Sequence, residues 1–261
     1  MIEQHEFEIA LIVRSETPRQ VVGHVAALTS IAGYRLDAQT PQPIRDLYFD
    51  TPTRGLAAQR VAVRLRTVGA SCFVAVKGPS RRNEWGAADR LEFEEPWSAD
   101  ALDRAVETLR RAGVTLPGAA NPTAAAIDVL RGLGLDVVQD RETERQPRSV
   151  RGLDHPGGPA LAELAVDAVA YHVEAKTVRM YEVEIEAKAA GGAPAVRAIM
   201  DRLVAQFAPA LQLWPHSKLA TGEIVEDLLR AGALDDLLGP DNTLLPAALD
   251  RIDAALTREN P

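Results

Sequence analysis

The sequence predicts an α+β protein built on an antiparallel sheet, with helices packed against it and a short helical tail. Three observations carry this reading. Short strand-like runs follow one another through tight turns instead of alternating with helices, which favours antiparallel pairing over a parallel βαβ sheet. Charged residues recur at every second position in several of those runs, as Glu6/Glu8, Arg64/Arg66, Glu92/Glu94 and Glu182/Glu184/Glu186, and a period of two belongs to a pleated strand. Apolar residues at helical spacing are confined to a few segments and to the C-terminal end.

Taken in order, residues 6–14 alternate and then run apolar from Ile9 to Val13, a strand with Glu6 and Glu8 on one face. Residues 18–31 place Val21, Val22, Val25 and Leu28 on a helix that Gly33 stops. Strand signals follow at 45–49, 60–68, 71–77 and 90–95, with Val68-Gly69-Ala70 as a tight hairpin connection. Gly78-Pro79 ends the third of these, because proline cannot donate to a ladder. Ser98 and Asp100 are caps for a helix ending near Gly113, and Asn121-Pro122 or Thr123 starts another that ends at Gly132. Strands resume at 137–146, 161–171 and 178–186, with a Gly/Pro-rich turn at 155–159, and 195–207 is helical by spacing. A boundary falls near 219–223. Residues 1–222 form one domain, and 223–261 an acidic extension of two or three short helices broken at Gly239-Pro240 and Pro246.

With 261 residues, of which 46% are apolar and 25% charged, the chain can bury a sizeable core. One cysteine excludes a disulfide framework within the chain and a multi-cysteine zinc site. The net charge of −8 argues against non-specific binding to nucleic acid, so double-stranded nucleic acid is not an expected partner. From Glu223 onward, three arginines stand against nine acidic residues, which leaves the preceding part close to neutral. The N-terminal residues show no basic, apolar leader pattern and no stretch is long and apolar enough for a membrane span, so a cytoplasmic protein is expected. A homo-oligomer is compatible with the sequence, which carries no readable signal of oligomeric state.

Each alternating set of charges projects to one side of its strand, toward solvent or toward an interior cavity. Three glutamates in a row repel one another unless cations, a metal or ample water compensate them. Lys77 ends the otherwise apolar face Phe73-Ala75-Lys77, and Cys72 alternates away from Phe73. A closed barrel reconciles these features, since its strands alternate inside and outside. Its interior could hold carboxylates for a hard divalent cation, and arginine and lysine for a phosphate chain. The five histidines show no paired ligand spacing, and no Ser-His-Asp arrangement is legible.

The strand Glu6-Phe7-Glu8, the block Tyr48-Phe49-Asp50-Thr51, Ala62-Val63-Arg64-Leu65-Arg66, Lys77, Glu182-Val183-Glu184-Ile185-Glu186 and Ser217-Lys218-Leu219-Ala220-Thr221-Gly222 together resemble the CYTH superfamily, the triphosphate tunnel metalloenzymes, in order over about residues 3–222. The resemblance implies an eight-stranded antiparallel barrel around a charged tunnel, and Mg²⁺ or Mn²⁺ as cofactor. It implies hydrolysis of inorganic triphosphate or an organic triphosphate by metal-activated water attacking the terminal phosphoryl group. Cyclisation of ATP to cyclic AMP and diphosphate is an alternative, as is non-catalytic binding of a small-molecule triphosphate or polyphosphate. The family's first strand usually reads E-x-E-x-K, and Ala10 stands here at the lysine position.

On this resemblance Glu6 and Glu8 face Glu184 and Glu186 across the tunnel and hold the metal. Glu92, Glu94, Asp167 and Glu182 are candidates for a second metal or for supporting roles. Arg64, Arg66, Lys77, Arg141, Arg145, Arg179 and Lys218 grip the phosphate chain. Glu8, Arg64, Arg66, Lys77 and Glu184 form the catalytic set. The block from Tyr48 to Thr51 is expected to serve architecture, fixing a strand end.

Overall fold

The apolar run that follows Glu8 carries β1 (Gln4–Val13), and α1 (Pro18–Ala26) begins with proline in its first turn, where the missing N–H costs no hydrogen bond. In the computed structural model the described residues are 4–119, 121, 124–153 and 157–259, with the side chains of Gln4, His5, Glu6, Leu91 and Glu259 outside the described set. The helix ends before the expected Ile31, because β2 (Ser30–Ile31) and β3 (Tyr34–Ala38) form a hairpin. Ala32 and Gly33 are its two central residues, at φ of 51° and 83°. Two positive φ values match the twist of a two-residue hairpin, so Gly33 serves this turn instead of stopping the helix.

Next come β4 (Gln42–Asp50), α2 (Gly55–Ala58), β5 (Ala62–Val68), β6 (Ser71–Lys77), β7 (Arg81–Arg82) and β8 (Ala88–Pro96). Gly69, at φ of 57°, lets Val68 pair with Ser71 across the expected tight turn. α3 (Ala99–Arg111) is capped by Ser98, whose Oγ accepts from the Ala101 amide at 3.1 Å. α4 (Ala126–Gly132) precedes β9 (Asp136–Gly152), β10 (Ala162–Val173) and β11 (Lys176–Ala187). The expected helix start at Pro122 or Thr123 and the turn residues His155 and Pro156 lie outside the described residues. α5 (Ala193–Phe207), β12 (Leu211–Leu213), α6 (Lys218–Arg230), 3₁₀ turns at Asp235–Leu237 and Pro240–Asn242, and α7 (Pro246–Glu259) complete the order. No helix among the described residues is long and apolar enough to cross a membrane.

The closed eight-stranded barrel expected from the resemblance is corrected. The strands form a twelve-stranded antiparallel sheet, with helices packed against it. The additional strands come from short segments, Ser30–Ile31, Tyr34–Ala38, Arg81–Arg82 and Leu211–Leu213, whose alternation spans too few residues to register in the sequence.

The chain divides into two compact units. The described residues within 1–6, 43–81 and 89–142 make one, and those within 7–42, 82–88 and 143–261 the other. In the first, the strand order is β8-β6-β5-β4-β9, the last by its N-terminal part. Leu47, Phe49, Val63, Leu65, Val74, Val76 and Phe93 share one face through the register, and there they meet Ala101, Leu102, Ala105 and Leu109 of α3 and Val129 and Leu130 of α4. Cys72 joins this apolar layer and does not share the face that bears Lys77.

In the second unit β1, β11 and β10 are neighbours, and the C-terminal part of β9 leads on to β3 and β2. Ile9, Leu11, Val183, Ile185, Leu164 and Val166 face α1 and α5. The other face is polar at one end and apolar at the other. Its apolar residues, Ile12, Val169, Tyr171, Val178 and Met180, are covered by Ile224, Val225 and Leu229 of α6 and by Ala248, Leu249, Ile252 and Leu256 of α7. Residues beyond 222 are thus part of a core, with Asp227, Asp235, Asp236, Asp241 and Asp250 exposed.

Candidate functional site

Two charged clusters stand out, one in each unit, and each is built by strand register. In the first unit, Arg64 pairs in register with Tyr48 on β4 and Ala75 on β6, and Arg66 with Asp46 and Phe73. Ala75 pairs with Glu94 and Lys77 with Glu92. One face of this sheet therefore carries Asp46, Tyr48, Arg64, Arg66, Lys77, Glu92 and Glu94.

Asp46 is the centre of this cluster and is 1% exposed. Arg66 forks onto it, Nε to Oδ1 at 2.8 Å and Nη2 to Oδ2 at 3.1 Å. Arg141 Nη2 donates to Asp46 Oδ2 at 2.5 Å, and Arg64 Nη1 lies 3.8 Å from the same oxygen. Arg64 Nη2 donates to Glu92 Oε1 at 3.1 Å and to Glu94 Oε2 at 2.7 Å, and Lys77 Nζ stands 3.1 Å from Glu92 Oε1. Tyr48 Oη accepts from Arg64 at 3.4 Å and from Arg141 at 3.3 Å, with the Arg141 guanidinium 5.1 Å from the ring centre.

Burial alone would raise the pKa of Asp46, but Arg64 and Arg141, then Arg66, hold it well below the carboxylate range. Burial opposes ionisation of Tyr48 too, yet Arg141, Arg64 and Lys77 bring the phenol down to about 8. Burial would also raise Glu94, and Arg64 and Arg66 lower it. Asp50, from the same block, has a different task. Its carboxylate accepts from the amides of Thr51, Leu56 and Ala57 at 2.7, 2.8 and 3.1 Å and so fixes the start of α2.

In the second unit the register sets Glu186 opposite Glu8 and Glu163, Glu184 opposite Ala10 and Ala165, and Glu182 opposite Ile12 and Asp167. β1 lies beside β11, which corrects the expectation that Glu8 and Glu184 look at one another across a tunnel. The Glu6 side chain lies outside the described residues. Asp167, Glu182 and Glu184 each offer a carboxylate oxygen within 4.8 Å of the others, and Asp167 and Glu182 are 0% and 1% exposed. Arg145 forks onto Asp167, Nε to Oδ1 at 2.9 Å and Nη2 to Oδ2 at 2.7 Å, and also contacts Glu184.

Lys218 reaches the same carboxylates from the first turn of α6. Its Nζ is 3.2 Å from Asp167 Oδ2 and 2.5 Å from Glu184 Oε1, and it contacts Glu182. The turn is fixed by Ser217 Oγ, which accepts from the Ala220 amide at 3.1 Å, and by Tyr171 Oη, which donates to the Lys218 carbonyl at 2.9 Å. Burial pushes the Glu182 carboxyl up, with Lys218 opposing and Glu184 and Asp167 adding to the rise. Burial would lower the pKa of Lys218, but Glu182, Glu184 and Asp167 raise it, so the ammonium stays charged.

Of the residues singled out in the sequence, the structure thus brings Arg64, Arg66, Lys77, Glu92, Glu94 and Arg141 into the first cluster. Glu184, Glu182, Asp167, Arg145 and Lys218 enter the second, with Glu8 and Glu186 farther along the same face. Glu186 Oε2 lies 2.5 Å from Lys188 Nζ. Arg179 sits apart, on the opposite face of β11 from the three glutamates, and donates to the Asp241 carbonyl at 2.9 Å. Sequence reasoning missed Asp46 as a member of the cluster and gave Tyr48 to architecture. The available signal was the i,i+2 pair Asp46/Tyr48 on a strand next to Arg64/Arg66.

Three clustered carboxylates suit a hard divalent cation, which takes oxygen ligands, and a guanidinium-rich face suits phosphate oxygens. The fold and these clusters define a protein of the antiparallel-sheet class with acids and bases gathered on one strand face in each unit. The family model of the CYTH domain matches residues 13–200, and the chain belongs to that family. No match is found among curated proteins.

Among solved structures, the chain is similar to HpAC1 from Hippeastrum, described as a candidate adenylyl cyclase with a dominant triphosphatase activity. The identity is 18% and the TM-score 0.56, over 90% of this chain and 98% of that one. A candidate adenylate cyclase from Bacillus halodurans has 18% identity and a TM-score of 0.48, over 82% of this chain and 96% of that one. PH1819 from Pyrococcus horikoshii also has 18% identity and a TM-score of 0.48, over 86% and 99%.

Proposed function

We propose that the protein hydrolyses a triphosphate with the help of a divalent cation. The observation that carries this reading is the set of buried Asp167 and Glu182 with half-buried Glu184, three oxygens within 4.8 Å, in a chain of the CYTH family. These residues, supported by Glu8 and Glu186 on the same face, would hold Mg²⁺ or Mn²⁺. When bound there, such an ion would supply Lewis-acid polarisation of a phosphoryl oxygen and a water of lowered pKa.

The chain's own residues account for the rest. Arg145 holds Asp167 in a two-pronged contact and so orients that carboxylate. Arg64, Arg66 and Arg141 present planar guanidinium groups, and Lys77 a compact charge, for the anionic oxygens of a phosphate chain. Asp46, Glu92 and Glu94 fix where those cations point, so little reorganisation accompanies the growth of negative charge in the transition state.

The test is release of orthophosphate from inorganic triphosphate, ATP and thiamine triphosphate with Mg²⁺ or Mn²⁺. Wild-type protein is expected to release orthophosphate only with the cation, and Asp167→Asn to lose on the order of 100-fold in turnover. Cation-independent turnover that survives Asp167→Asn would refute the reading. Cyclic AMP and diphosphate as products from ATP would replace hydrolysis with cyclisation.

A further inference from the structure

We propose that Lys218 is a built-in competitor of the divalent cation, its ammonium occupying the place among Asp167, Glu182 and Glu184 that an entering cation must take. The proposal rests on the metal-binding reading of those carboxylates and adds to it the residue that governs their affinity.

The geometry gives the reason. Lys218 Nζ touches all three carboxylates, at 3.2 Å from Asp167 Oδ2, 2.5 Å from Glu184 Oε1 and in contact with Glu182 Oε1. A Mg²⁺ bound at about 2.1 Å from the same oxygens would sit nearly against that nitrogen, and two positive centres at such separation repel strongly. One must leave. Arg145 is the less mobile of the two resident cations, being forked onto Asp167 through two parallel hydrogen bonds. Lys218 is a point charge on a flexible stem with no fixed donor geometry.

The backbone beneath it stays in place when the side chain swings. Tyr171 and Ser217 hold the first turn of α6 through the Lys218 carbonyl and the Ala220 amide. The helix itself offers the ammonium nothing, because the N-terminal end of a helix is its positive end. Lys218 is therefore held among the acids only by their charge. An ammonium brings one positive charge to these carboxylate oxygens and a divalent cation two, so the exchange runs toward the metal at a concentration that Lys218 sets.

The experiment measures Mn²⁺ affinity directly, by calorimetry and by electron paramagnetic resonance of free Mn²⁺, without substrate. Lys218→Met is expected to bind Mn²⁺ roughly tenfold tighter than wild type, and Lys218→Arg no tighter than wild type. Adding Asp167→Asn to Lys218→Met should erase the gain. Equal or weaker Mn²⁺ binding by folded Lys218→Met, beside measurable binding by wild type, overturns the competition and leaves the metal site standing. No Mn²⁺ binding by either protein overturns both.

A second measurement uses unmodified protein and does not depend on the variant folding. The chain has only four lysines, Lys77, Lys176, Lys188 and Lys218, so amine acylation can be followed at each by mass spectrometry. Mn²⁺ should speed acylation of Lys218 several-fold relative to Lys176. An unchanged or slowed rate at Lys218 overturns the proposal.

Discussion

The two charged clusters are built from the same residue types and solve opposite problems. In the first unit, four cations, Arg64, Arg66, Lys77 and Arg141, surround three acids, Asp46, Glu92 and Glu94. In the second, three acids, Asp167, Glu182 and Glu184, surround two cations, Arg145 and Lys218. By formal count cations outnumber acids by one in the first and acids outnumber cations by one in the second. An uncompensated buried charge is expensive, so most of the charge is cancelled locally. The centres differ as well. The first is organised around a fixed carboxylate gripped by rigid guanidinium groups, the second around a flexible ammonium.

The largest expected effect follows from that difference. Asp46→Asn removes the charge that Arg66 forks onto and that Arg141 meets in a buried pair, and should cost about 3–5 kcal/mol of stability, read by denaturant unfolding. A loss below about 1 kcal/mol would mean that the arginines hold their places without Asp46, and the contrast between the centres would collapse.

Tyr48 gives a pH test of the first cluster. Its folded pKa of about 8 is below the ordinary 10, so between these values the unfolded chain keeps a proton that the folded chain has lost. Stability should therefore rise with pH across that window, by about 2 kcal/mol, and Tyr48→Phe should flatten the rise. Ultraviolet titration of tyrosinate should show one of the four tyrosines ionising near pH 8 and the step vanishing in Tyr48→Phe. A titration in which all ionise near 10 or above would contradict the picture.

The smallest effect is expected at Glu182. Burial and two acidic neighbours already disfavour its charge, and Glu182→Gln leaves Lys218 with two carboxylates. Its cost should stay near 1 kcal/mol or below. A loss as large as that of Asp46→Asn would show that the second cluster also depends on a fixed acid.

Much of this was legible in the sequence, for a physical reason. Strand alternation places i,i+2 charges on one face wherever the strand pairs, so Arg64/Arg66 and Glu182/Glu184/Glu186 could be found without knowing their neighbours. Asp46 carried only the weak signal of its i,i+2 neighbour Tyr48, because its importance comes from Arg66 across the ladder and from Arg141 on a strand far along the chain. The hairpin of β2 and β3 was hidden because Gly33 reads equally well as a helix stop. The closed barrel was expected because alternation says which side a residue faces but not which strand ends at an edge. The packing of α6 and α7 was hidden by their acidic outer faces, although their inner faces carry the ordinary apolar spacing of a buried helix.

That packing bears on how the protein can be shortened. Cutting it after residue 222, where the composition changes, would strip the cover from Ile12, Tyr171, Val178 and Met180 and leave a greasy strip on one sheet face. Such a fragment would be expected to self-associate. The acids that make the last segment look dispensable, Asp227, Asp235, Asp236, Asp241 and Asp250 among them, are instead the hydrophilic coat on a piece of the interior.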